Sequence, residues 1–173
     1  MAIEILLHTE RSLAAALRMV LDRMLGTGFE NIDAPEDGRI EVDCLDGDTG
    51  EEWGFAAPET SAMAAFAKVK DRPTTVRLMV RLRTGHLMLY PGFVVLSRPE
   101  DDFEAFEADP RAKQIILREA FELGRTFGTR EVIVAGDAAS DFLGTEATSW
   151  EGLKEVLEEE AIPHTLLPVP AKV

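Results

Sequence analysis

Cysteine occurs once in these 173 residues, at Cys44, which excludes an internal disulfide framework and any multi-cysteine metal site. A reducing cytoplasm is the simplest compartment for such a chain. Histidine is scarce as well: His8, His86 and His164 lie far apart, none with a second ligand at metal spacing. Positive charge is in short supply, with 18 Lys/Arg against 32 Asp/Glu and a formal net charge of −14. A body of that charge repels nucleic acid and anionic membrane surfaces unless one face is locally basic. No apolar run approaches the roughly 20 residues needed to span a bilayer. The opening MAIEILLHTER lacks the basic segment and long apolar stretch of a signal peptide. P-loop, GxGxxG, HExxH and nucleophile-elbow patterns are all missing, so no catalytic residue, metal ligand set or cofactor is assigned. Cys44 alternates with Ile40 and Val42 and reads as a small core residue rather than a nucleophile.

What is present is a polarised charge distribution. Residues 61–98 carry seven Lys/Arg (Lys68, Lys70, Arg72, Arg77, Arg81, Arg83 and Arg98) against Asp71 alone. Residues 30–60 carry eleven acids against Arg39, and residues 99–160 carry seventeen acids against six cations. The chain reads as an acidic body with one basic hairpin.

With 46% hydrophobic residues the chain can build one sizeable core, and it has no linker rich in Pro, Gly or Ser. A single α+β domain over residues 1–173 is expected. Ala2–Leu7 reads as a buried strand, followed by a helix over about 10–25 with Thr9 as N-cap. Arg39–Leu45 alternates apolar and polar, and Glu51–Ala56 can return beside it. A short helix is expected from Pro58 and Thr60 to Lys70. The central hairpin covers 74–96, strands 74–83 and 86–96 flanking a Thr84-Gly85 turn. A short helix lies near Glu100–Glu107. Asp109-Pro110 opens a longer one carrying Ile115, Ile116, Ala120, Leu123 and Phe127. Glu131–Ala135 is a buried strand. A Thr148-x-x-Glu151 capping box opens a last helix with Trp150, Leu153, Val156 and Leu157 inward. Ile162–Val169, interrupted by Pro163 and Pro168, suits an edge strand. The sheet is expected to be mixed and mostly antiparallel, with helices packed on it and parallel pairing possible near the two ends.

Strand alternation divides the hairpin into two faces. Val76, Leu78, Val80, Leu82, Leu87, Leu89, Pro91 and Phe93 form an apolar face that must be core. Arg77, Met79, Arg81, Arg83, His86, Met88 and Tyr90 form the other. Arg, Tyr and Met are enriched where proteins meet partners, and the guanidinium fork grips carboxylate or phosphate. The candidate binding residues are therefore Arg77, Arg81, Arg83, His86 and Tyr90. Two readings of this face stay open. In one it recognises a partner, and in the other Glu41 and Asp43 on a neighbouring strand pair with its arginines.

Three acidic groups are weaker candidates. Asp43, Asp46, Asp48, Glu51 and Glu52 surround Gly47 and Gly50, but the calcium-loop spacing fails and a hairpin turn accounts for them. Asp137 and Asp141 follow a buried strand, where turn and cap roles are expected. Glu158–Glu160 oppose the helix dipole and read as a solvated run or an acidic docking patch. Function is expected to be a non-enzymatic, inhibitor-type protein-binding module with a basic partner. The alternatives are an anionic-ligand site, with His86 as acid or base, and a homodimer through the hairpin face.

Overall fold

A computed structural model describes residues 1–20, 39–47, 49–58, 75–82 and 85–171. The fold is α+β. Among the described residues Ile3–His8 pairs with Phe93–Arg98 and Glu131–Gly136, Arg39–Asp46 with Glu52–Pro58 and Thr75–Leu82, Thr75–Leu82 with Gly85–Tyr90, and Glu131–Gly136 with His164–Pro168, all antiparallel. The residues group into two compact units: Arg11–Pro91, and Met1–Glu10 together with Gly92–Val173.

In the Arg11–Pro91 unit, strands β2 (Arg39–Asp46), β3 (Glu52–Pro58), β4 (Thr75–Leu82) and β5 (Gly85–Tyr90) take the order β3-β2-β4-β5. Alternation places Val42, Cys44, Leu78, Val80, Leu82, Leu87 and Leu89 on one face, all at most 3% exposed. Helix α1 (Leu13–Met19) contacts β4 and β5 and buries Ala16, Leu17 and Met19. Its N-cap is Ser12, whose hydroxyl accepts from the Ala15 N–H at 3.2 Å, not the expected Thr9. Thr9 is instead buried, its N–H donating to the Gly92 carbonyl at 2.9 Å. The expected helix up to Lys70, and the far end of the first helix, lie outside the described residues.

The hairpin register differs from expectation by two residues. Leu82 pairs with Gly85, Arg81 with His86, Val80 with Leu87 and Met79 with Met88. A shift of two preserves every side chain's face, because the strand period is two. The long second strand is also interrupted. β5 stops at Tyr90 and β6 (Phe93–Arg98) begins after Pro91-Gly92. Gly92 has φ +87°, which suits the glycine position of a Pro-Gly turn.

In the other unit, β1 (Ile3–His8), β6, β7 (Glu131–Gly136) and β8 (His164–Pro168) take the order β6-β1-β7-β8. The parallel pairing anticipated near the ends is not what forms: β1 runs antiparallel to both β6 and β7, and β8 antiparallel to β7. Strand β8 is the edge, as its prolines require. Helices α2 (Phe103–Ala108), α3 (Pro110–Phe127) and α4 (Trp150–Glu159) belong to this unit.

Helix α3 starts as expected, with Asp109 accepting from the Arg111 N–H at 2.9 Å and Pro110 in the first turn. It ends at Gly128, whose φ of +69° forms the left-handed cap. Ile116, Ala120, Leu123 and Phe127 face the core, whereas Ile115, expected with them, is 51% exposed. Gly124 is needed for close packing: a Cβ there would lie 2.7 Å from a Val169 methyl and 3.2 Å from one of Val132. Helix α4 is capped by Ser149, accepting from the Gly152 N–H at 3.0 Å, rather than by Thr148.

Candidate functional site

The second face of the β3-β2-β4-β5 sheet is where the candidate residues lie. Register sets Asp43 opposite Met79 and Leu45 opposite Arg77 on the β2–β4 side. It sets Met79 opposite Met88 and Arg81 opposite His86 on the β4–β5 side. The face thus carries acids on β2 and β3, a central pair of methionines, arginines on β4 and a histidine on β5.

The individual side chains are not equally available. Arg81, Glu41 and Asp43 are exposed, while Arg77, Met79, His86 and Tyr90 are half-buried and Met88 is 9% exposed. Arg77 is engaged: its guanidinium bonds the Glu52 carboxylate of β3 at 3.2 Å, and its buried Nε has no hydrogen-bond partner. The Tyr90 hydroxyl lies 3.7 Å from the Met88 sulfur. Arg83 lies outside the described residues.

The pairing of these arginines with Glu41 and Asp43 is not found among the described residues. Asp43 leans the other way, over Gly54 of β3, where a Cβ would meet its Oδ1 at 2.7 Å. Glycine at 54 leaves room for that carboxylate above the neighbouring strand. Arg98 also drops out of the basic group, because it is 7% exposed. Its Nε bonds Asp101 at 2.5 Å and another guanidinium nitrogen bonds Glu119. Among the described cations of residues 61–98, Arg81 alone is exposed.

Several of the remaining candidates take structural roles. Asp46 is 7% exposed and closes the β2–β3 turn, its Oδ1 accepting from the Thr49 N–H at 3.3 Å. Asp48 lies outside the described residues. Asp137 and Asp141 are exposed in the segment after β7, without the side-chain cap expected of them. His164 Nδ1 contacts the Ile162 carbonyl at 2.7 Å, and its Nε2 is 3.5 Å from Glu158, stitching α4 to β8. His8 sits between the rings of Phe93 and Trp150, at 6.3 and 6.5 Å between centroids. Trp150 Nε1–H donates to Glu131 at 2.5 Å, and Lys154 bonds the same carboxylate at 2.9 Å. Lys154 first, then Trp150, hold the Glu131 carboxyl below its ordinary range.

Sequence reasoning overlooked two buried charges, Glu4 and Arg98. The signal for Glu4 was one acid inside the apolar run AIEILL. No comparable signal marked Arg98, which closes a strand next to an acidic segment. No family model matches this chain, and no curated protein or solved structure matches it. No described helix is long and apolar enough to cross a membrane.

Proposed function

We propose that the chain is a non-enzymatic protein-binding module of inhibitor type, its residues 1–173 acting as one domain in a reducing cytoplasm. The recognition surface is the second face of β2, β4 and β5, centred on Arg81. The observation that carries this reading is an exposed arginine with no carboxylate partner among the described residues, set beside His86 and a methionine pair. An exposed arginine keeps its fork for an incoming carboxylate, and methionine adapts its shape to an apolar partner surface. Glu41 and Asp43, exposed on the adjoining strand, select a partner that carries cations opposite them. The net charge of −14 makes association with a basic protein fast and sensitive to salt.

An anionic small ligand held between Arg81 and His86 is the second reading, favoured by their direct cross-strand pairing. Calorimetric titration with inorganic phosphate and short carboxylates separates the two. The module reading expects no saturable heat, and a site lost in both Arg81→Ala and His86→Ala would replace it. A sedimentation mass equal to one chain, unchanged by Arg81→Glu, removes the homodimer alternative.

A further inference from the structure

Glu4 is 2% exposed in the middle of β1, between Ile3 and Ile5, at 1% and 0%. Ser97 of β6 and Ala135 of β7 stand opposite it on the two neighbouring strands. Its carboxylate reaches the segment that leaves β7, accepting from the Ser140 N–H at 2.9 Å. The Ser140 hydroxyl also bonds it. Ser140 lies in a 3-10 turn over Ala139–Phe142, seated by buried Ala139, Leu143 and Ala147. That segment is otherwise held by short backbone bonds of its own, among them Ala147 N–H to Phe142 O and Gly144 N–H to Ala147 O, both 2.9 Å. Its bond to Glu4 spans 136 positions of sequence.

The charges that act most strongly on Glu4 are Asp141 and Asp137, both exposed and both of its own sign. The facing positions on β6 and β7, Ser97 and Ala135, are uncharged. The nearest cation along β6, Arg98, is committed to Asp101 and Glu119. The two Ser140 bonds favour the ionised carboxylate, but burial without a facing cation, near two like charges, favours the protonated form more strongly.

We propose that Glu4 is a proton-operated latch on the 137–147 segment, holding the 3-10 turn against β1 when neutral and loosening it when ionised. Burial is the largest effect and raises the carboxyl to about 7; the Ser140 hydrogen bonds oppose it, and Asp141 and Asp137 add to it. The sign follows. Raised in the closed state, the group contributes fully below its ordinary value of 4.5, and that contribution is lost as pH rises towards 7. Opening therefore increases over that interval and levels off above it. The segment opens more readily at neutral pH than in mild acid.

Hydrogen exchange of the amides of Ser140, Leu143, Gly144 and Ala147, corrected for intrinsic rates, reads the latch directly. Protection in the unmodified chain is expected to fall about fifty-fold from pH 5 to pH 7.5, each unit of pKa shift being tenfold. Glu4→Gln, which keeps an acceptor for the Ser140 N–H, is expected to flatten that profile. A flat profile in the unmodified chain, or an unchanged slope in Glu4→Gln, would overturn the proposal. Should Glu4→Gln not fold, carboxyl-carbon NMR of the unmodified chain decides. A Glu4 midpoint near 7 supports the latch, and one near 4.5 removes it.

Discussion

Replacing Arg98 tests the claim that this buried cation is structural and not part of a binding face. The residue is 7% exposed and makes two charge-assisted bonds, to Asp101 at 2.5 Å and to Glu119. Removing one partner of a fully buried pair costs about 3–5 kcal/mol. Here the carboxylates left behind are not fully buried: the side chains of Glu119 and Asp101 are 21% and 37% exposed and can recover water. Discounting for that hydration, Arg98→Met, which retains the aliphatic stem, is expected to cost about 2 kcal/mol. Glu119→Leu alone leaves the guanidinium with Asp101 only and should cost a similar amount. The double variant should lose clearly less than the two together, since it buries neither charge without its partner. Urea denaturation followed by tryptophan fluorescence measures each step, with the slope expected to stay constant. A cost below about 0.5 kcal/mol for Arg98→Met, or strict additivity in the double variant, would refute the clamp.

Three further outcomes follow from local geometry. Asp109→Ala removes the hydroxyl-free cap of α3, a carboxylate on the Arg111 N–H, and should cost about 1 kcal/mol in the same denaturation assay. Gly128→Ala should cost about 1 kcal/mol through backbone strain alone, because φ is +69° and nothing lies within 4 Å of the added methyl. Lys154→Met should flatten the acid limb of the stability profile. Glu131, held low by Lys154, contributes stability above its ordinary value that is lost as pH falls, and the variant removes the main cause.

The division of the hairpin into two faces was readable because alternation is a property of the strand alone. Leu78, Val80, Leu82, Leu87 and Leu89 are all buried, although the register differs by two residues and Pro91, expected with them, is exposed where β5 has already ended. The register was less readable, since a shift of two residues between the strands satisfies the same facial pattern. The Asp109-Pro110 start of α3 was legible because two independent preferences coincide there. At the other helix starts, neighbouring Ser and Thr residues compete: Ser12 displaced Thr9, and Ser149 displaced Thr148. For the described cations the charge pattern was less legible still. Summed along the chain, residues 61–98 form a basic patch, yet Arg98 is buried and Arg77 is held by Glu52. Those pairings depend on Glu119 and Glu52, which lie 21 and 25 positions away in sequence. Asp43's turn towards Gly54 likewise depends on a missing side chain across a strand pair.

The most direct test of the recognition surface is a photo-crosslinker placed at position 81, compared with one at Arg111, an exposed cation on α3. The unmodified chain, at equal concentration, competes against each. The account predicts a discrete protein adduct at 81 that the competitor abolishes, that weakens as salt rises, and that Arg81→Glu competitor fails to displace. Identical adducts at both positions, or equal competition by Arg81→Glu, would contradict it.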